Sequence, residues 1–156
     1  MAKSCSIILC ALLLLAAGCK KDPGTDPDNP QKNLNGDVAR PTWTVPEDYD
    51  YTSSMTAVIK VEKLNGQMVD IQLVNDSDVL AAFSGETCLG IAKYEEGLFF
   101  LYIASPVTGN PSSVTLRYYS AHYKNLFEAV NAFPFVNDTQ QGTIAEPFKP
   151  AFVVAK

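Results

Sequence analysis

An all-β sandwich of antiparallel strands is what the sequence predicts, and three observations predict it. Apolar and polar residues alternate with period two in several short runs, turn residues separate those runs at short intervals, and no segment of residues 42–156 sustains a helical period. A strand with one apolar face must bury it. Two sheets that cover each other's apolar faces let seven to eight such strands do so, in a fold of immunoglobulin- or fibronectin-like kind, with an open barrel as the alternative closure.

The first element is residues 1–18. Lys3 precedes an apolar stretch from Ser6 to Ala17, too short to span a bilayer comfortably, which closes in Leu13-Leu14-Leu15-Ala16-Ala17-Gly18-Cys19. Small residues and a cysteine ending an apolar run form a bacterial lipoprotein processing site, so cleavage before Cys19 is expected to leave a lipidated N-terminus. A core helix fits poorly, because the run has no polar face and ends in Gly-Cys-Lys-Lys. Residues 19–41 follow as a linker. Asp22-Pro23-Gly24, Asp26-Pro27-Asp28-Asn29-Pro30 and Asn33-Leu34-Asn35-Gly36-Asp37 offer too little apolar surface to offset ordering entropy. Fully stretched, the linker would reach roughly 70 Å at about 3.3 Å per residue.

The domain, residues 42–156, opens at Thr42-Trp43. Its clearest strand is Ser54 to Lys63, where Met55, Ala57, Ile59 and Val61 alternate with Thr56, Val58, Lys60 and Glu62. Asn65-Gly66 readily takes the positive φ angles of a two-residue hairpin. Gln67 to Val74 is therefore expected to return antiparallel, with Val69, Ile71 and Leu73 on its apolar face. Further strands are expected at Val79–Ser84, Thr87–Tyr94, Leu98–Ala104, Ser113–Ser120, Asn125–Phe133 and Ala151–Val154. Turn residues at Ser84-Gly85-Glu86, Glu95-Glu96-Gly97, Pro106–Pro111, Ala121–Lys124 and Gln140-Gln141-Gly142 divide them.

Composition bounds the function. Removing the leader deletes one of twelve basic residues and none of the seventeen acids, so the mature chain is slightly more acidic than the −5 of the whole. No basic stripe is present to hold a phosphate backbone, which argues against nucleic acid. Of the four cysteines, Cys5 and Cys10 lie in the leader and Cys19 is taken by lipid. Cys88 remains, in the apolar run Thr87–Ala92, and reads as a buried structural thiol.

The residues also resemble a known module. Trp43, Pro46, Tyr49 and Tyr51, then Ser54-Met55-Thr56-Ala57-Val58, then Asp78-Val79-Leu80-Ala81-Ala82-Phe83-Ser84-Gly85-Glu86-Thr87-Cys88-Leu89-Gly90-Ile91-Ala92 run in the order of a β-sandwich repeat of Bacteroidetes surface and secreted proteins. Where that repeat usually has an arginine between the cysteine and the glycine, this chain has Leu89. The resemblance implies adhesion, spacing or ligand presentation, and it transfers no catalytic residue. Lys20-Lys21-Asp22 resembles the short export signal of lipoproteins in that phylum. The expected location is thus the outer membrane, lipid-anchored, on the cell surface or the periplasmic face.

Candidate sites are few. His122, the only histidine, falls in a turn with no nucleophile motif, and with Cys88 alone it falls short of a four-ligand zinc site. Glu95-Glu96 sits at a hairpin tip. Asn75, Asp76 and Asp78 place oxygen ligands close together in a loop and form a candidate calcium site, the one cofactor the sequence suggests. Trp43, Tyr49, Tyr51, Tyr119 and Tyr123 are candidates for a ring platform that binds a ligand, and adjacent Tyr118 and Tyr119 must point to opposite faces of a strand. The expected function is that of a non-catalytic envelope lipoprotein binding a glycan or an envelope protein. A fimbrial subunit donating an edge strand is the alternative, and a glycan-processing enzyme comes third.

Overall fold

A computed structural model describes residues 34–47, 49–106 and 109–156, with the backbone alone for Tyr49–Thr52. The leader, Cys19 and the first part of the linker lie outside the described residues. The chain folds as an all-β sandwich of two sheets. In order, its strands are β1 Tyr49–Ile59, β2 Lys63–Leu64, β3 Gln67–Met68, β4 Val79–Ser84, β5 Thr87–Ile91, β6 Lys93–Glu95, β7 Leu98–Pro106, β8 Ser113–Ser120, β9 Asn125–Ala129, β10 Phe133–Pro134, β11 Gln140–Gln141 and β12 Phe152–Val154. One sheet runs β11-β1-β7-β6, and the other β3-β2-β12-β9-β8-β4-β5, with β10 paired to β8. Pairing is antiparallel except for β1 with β11 and β2 with β12.

Alternation decides which residues meet between the sheets. Met55, Ala57 and Ile59 of β1 and Phe99, Leu101 and Ile103 of β7 face Leu80 and Ala82 of β4 and Val114, Leu116 and Tyr118 of β8 across the core. Rings form its centre. The Tyr118 ring lies 5.9 Å from Phe99, 6.2 Å from Phe127 and 5.7 Å from Phe152. Each large side chain so buried contributes roughly 1.5–3 kcal/mol, which is how a domain with a single cysteine holds together.

Two expected strands change sheets partway. Asn65, at φ 49°, and Gly66, at φ 79°, do make the tight turn, but only Lys63–Leu64 and Gln67–Met68 pair across it. The expected Ser54–Lys63 strand stops at Ile59, and β2 belongs to the opposite sheet, so the long hairpin is not formed. Asp70 instead caps a short 3-10 turn, Ile71–Leu73, with its carboxylate accepting from Gln72 N at 3.0 Å, and Ile71 is exposed. The Thr87–Tyr94 strand divides at Ala92: β5 pairs with β4, whereas β6 pairs with β7. At that corner the two sheets nearly touch, because Gly90 lies against the backbone of Tyr102.

The sequence placed residues 34–41 in the linker, and the structure corrects this. Leu34 is 0% exposed within the core, Asn125 Nδ2 donates to its carbonyl at 3.0 Å, and the amides of Gly36 and Val38 donate to the carbonyls of Tyr123 and Lys124 at 2.9 Å each. Gly36 fits because a Cβ there would stand 2.7 Å from Asn125 Cγ. The chain then runs as an extended strap. Arg40 Nε donates to Ser77 O at 3.1 Å, and the Trp43 ring meets Phe83 edge-on at 5.2 Å. A polar composition concealed one well-placed leucine.

Candidate functional site

Of the aromatic residues singled out from the sequence, the three whose side chains are described, Trp43, Tyr119 and Tyr123, are half-buried or buried and offer no exposed ring platform. Trp43 is half-buried, and with Val45 it covers Ala81, Phe83 and Cys88 on the outward face of β4 and β5. Tyr119 is 5% exposed, contrary to the expectation of one exposed ring in the Tyr118-Tyr119 pair. It points away from the core, yet it is buried on that outward face beside its partner Val79. Tyr123 is buried in the core because the Ala121–Lys124 turn folds inward, and its ring meets exposed His122 edge-on at 4.7 Å. Tyr49 and Tyr51 lie in β1, where side chains are outside the description.

The loop proposed for calcium is engaged otherwise. Asp78 is 5% exposed, and its carboxylate accepts from Tyr118 Oη at 2.6 Å, from Ala121 N at 2.7 Å and from Asn75 N at 3.2 Å. Asn75 Oδ1 accepts from Ser77 N at 2.9 Å, while Asp76 points to solvent. Among the described residues, no three His, Cys, Asp or Glu side chains group as metal ligands. Burial raises the Asp78 carboxyl above its ordinary range, opposed by the three donors.

A charged cluster occupies the outward face of β8. Arg117 holds Glu86 bidentately at 2.9 and 2.7 Å, bonds Glu128 at 3.3 Å, and lies 4.5 Å over the Phe83 ring. With the guanidinium so satisfied, Glu86 is held below the usual carboxylate range, and the cluster ties β4, β8 and β9 together.

The open face of the four-stranded sheet offers a different site. Thr56 pairs with Tyr102 and Val58 with Phe100, so these four side chains share the face turned away from the core. The segment after β11 forms a wall beside them. Gln140 Nε2 donates to Gly142 O at 2.7 Å, Thr143 and Glu146 bond each other twice at 2.9 and 3.0 Å, and Ile144 projects from the turn they close. Gly142, at φ 74°, lets that wall approach, since a Cβ there would stand 2.6 Å from Val58 O. The result is a groove of about 380 Å³ lined by Thr56, Val58, Phe100, Tyr102, Gln140 and Ile144. Tyr102 is 46% exposed and Ile144 is 71% exposed. Ile144 also borders a second groove of about 420 Å³, which reaches Lys60, Ile71 and Lys149. Both lysines hold Glu62, at 3.0 and 2.9 Å, and keep its carboxyl below the usual range.

Sequence reasoning missed this groove because Leu98-Phe99-Phe100-Leu101-Tyr102-Ile103 is apolar on both faces. Alternation gives no sign of which face is covered. The usable signal was the excess itself, since a strand apolar on both sides leaves one face to be covered or used. Comparisons with protein-family models, with curated proteins and with solved structures found no match.

Proposed function

We propose that the chain is a non-catalytic envelope lipoprotein, anchored by lipid at Cys19, whose sandwich offers the Tyr102 groove to a glycan. The observation that carries the reading is a half-exposed tyrosine ring on a rigid sheet, beside Thr56 and Gln140, which supply hydroxyl and amide groups at the rim. Such a ring can lie against the apolar face of a sugar while the flanking groups bond its hydroxyls. The anchor rests on the apolar run ending in Ala16-Ala17-Gly18-Cys19 and on the polar segment that follows it.

The test is binding of the chain carrying Cys19→Ala, kept free of lipid, to a broad glycan array, repeated with Tyr102→Ala. The expected loss on removing the ring is at least tenfold, about 1.4 kcal/mol. The melting temperature should move by no more than about 3 °C, because the side chain is half in solvent. No binding by the parent protein to any glycan would rule out this ligand class, and undiminished binding by Tyr102→Ala would remove the groove from the account.

A further inference from the structure

The strap from Leu34 to Val45 touches the sandwich at two places, with little between. Leu34 fills the core near Asn125, and the amides of Gly36 and Val38 bond the 121–124 turn. Trp43 and Val45 lie on Ala81, Phe83 and Cys88. Asn35 to Arg40 are exposed, and no residue of the strap belongs to a strand. Beneath Trp43 and Val45, Ala81, Phe83 and Cys88 are buried although they face away from the core.

We infer that the strap is a removable cover, undocking as a unit while the sandwich stays folded. Both sheets are laddered without the strap, so its release breaks no strand pairing. Segments with few buried contacts and mostly solvated backbone open at lower free energy than the structure they cover. On the lipid-anchor reading, the strap is also the piece of domain nearest the tether, so tension on the tether reaches Leu34 first. Undocking itself does not depend on that reading.

Cys88 reports the opening, because its thiol lies under Trp43 and Val45 and donates to Gly90 O at 3.7 Å. The experiment is timed thiol alkylation of the full chain across a denaturant series, read on the peptide that bears Cys88. The expected rate rises only gently at low denaturant, where undocking exposes less surface than global unfolding, and steeply near the unfolding transition. Trp43→Ala should raise the rate at low denaturant at least tenfold. A rate that follows global unfolding at every denaturant concentration would overturn the inference. Hydrogen exchange of the parent protein gives a second reading that needs no variant. The Gly36 and Val38 amides should exchange ahead of those in β7, and simultaneous exchange would overturn the inference equally.

Discussion

Replacing Asp78 with alanine is expected to lower the stability of the sandwich by about 3 kcal/mol, since it removes the acceptor for one buried and two part-buried donors at once. The Tyr118 hydroxyl, in a side chain with no exposed surface, would be left without its 2.6 Å partner, and the Ala121 and Asn75 amides would lose theirs. The same carboxylate bridges the 75–78 loop to the turn that receives the strap, so strap docking should weaken with it. Denaturant unfolding of the purified variant measures the loss.

Asp78 also predicts a pH dependence of known sign. Burial raises its carboxyl above the ordinary aspartate value of 3.8, so the folded chain binds that proton more tightly than the unfolded chain does. Its contribution is fully present below 3.8 and is lost as pH rises through the higher folded value. Glu62 and Glu86, whose carboxyls are lowered by their lysine and arginine partners, act in the opposite direction. Subtracting the Asp78→Asn stability curve from the parent curve between about pH 3 and about pH 7 isolates the Asp78 part. That difference should fall with rising pH, and a difference that rises would contradict the assignment.

Gly90→Ala is expected to be strongly destabilising. The new Cβ would collide with the carbonyl oxygen of Tyr102 and stand 3.0 Å from its carbon, and both atoms are backbone. Relief requires β5 to move away from β7, the corner where the chain passes from one sheet to the other. A loss of about 3 kcal/mol or more is expected, seen as a large fall in the denaturant midpoint. Gly85→Ala is the control. Nothing lies within 4 Å of a Cβ there, so only the strain of φ 58° remains, about 1 kcal/mol.

Where one face of a strand is polar or turn residues bound the strand, the sequence was readable. β8 was located to the residue because Thr115 and Arg117 alternate with Leu116 and Tyr118, and β4, apolar on both faces, because turn residues bound it. The hairpin turn at Asn65-Gly66 was equally plain, since its backbone angles belong to that dipeptide. Partner choice was not readable. Lys60 to Glu62 carry the chain from one sheet to the other within an unbroken alternation, and nothing in the pattern marks the crossing. Gln140-Gln141 has no apolar face, yet it forms a strand because β1 offers an open edge there. The candidate site escaped for a related reason: Tyr102 and Phe100 stand among apolar neighbours, and only the completed sheet separates the ring in the core from the ring outside it. Tyr119 failed in the opposite direction: alternation correctly turned it outward, yet the outward face is buried there too.

On the proposed function, the folded sandwich is held at a membrane by lipid on Cys19. Mass spectrometry of the protein isolated from the membrane fraction of its native cell checks that anchor. The N-terminal peptide is expected to begin at Cys19 and to carry the added mass of a lipid on that cysteine. A chain that still begins at Met1, or a peptide with an unmodified Cys19 thiol, would contradict it.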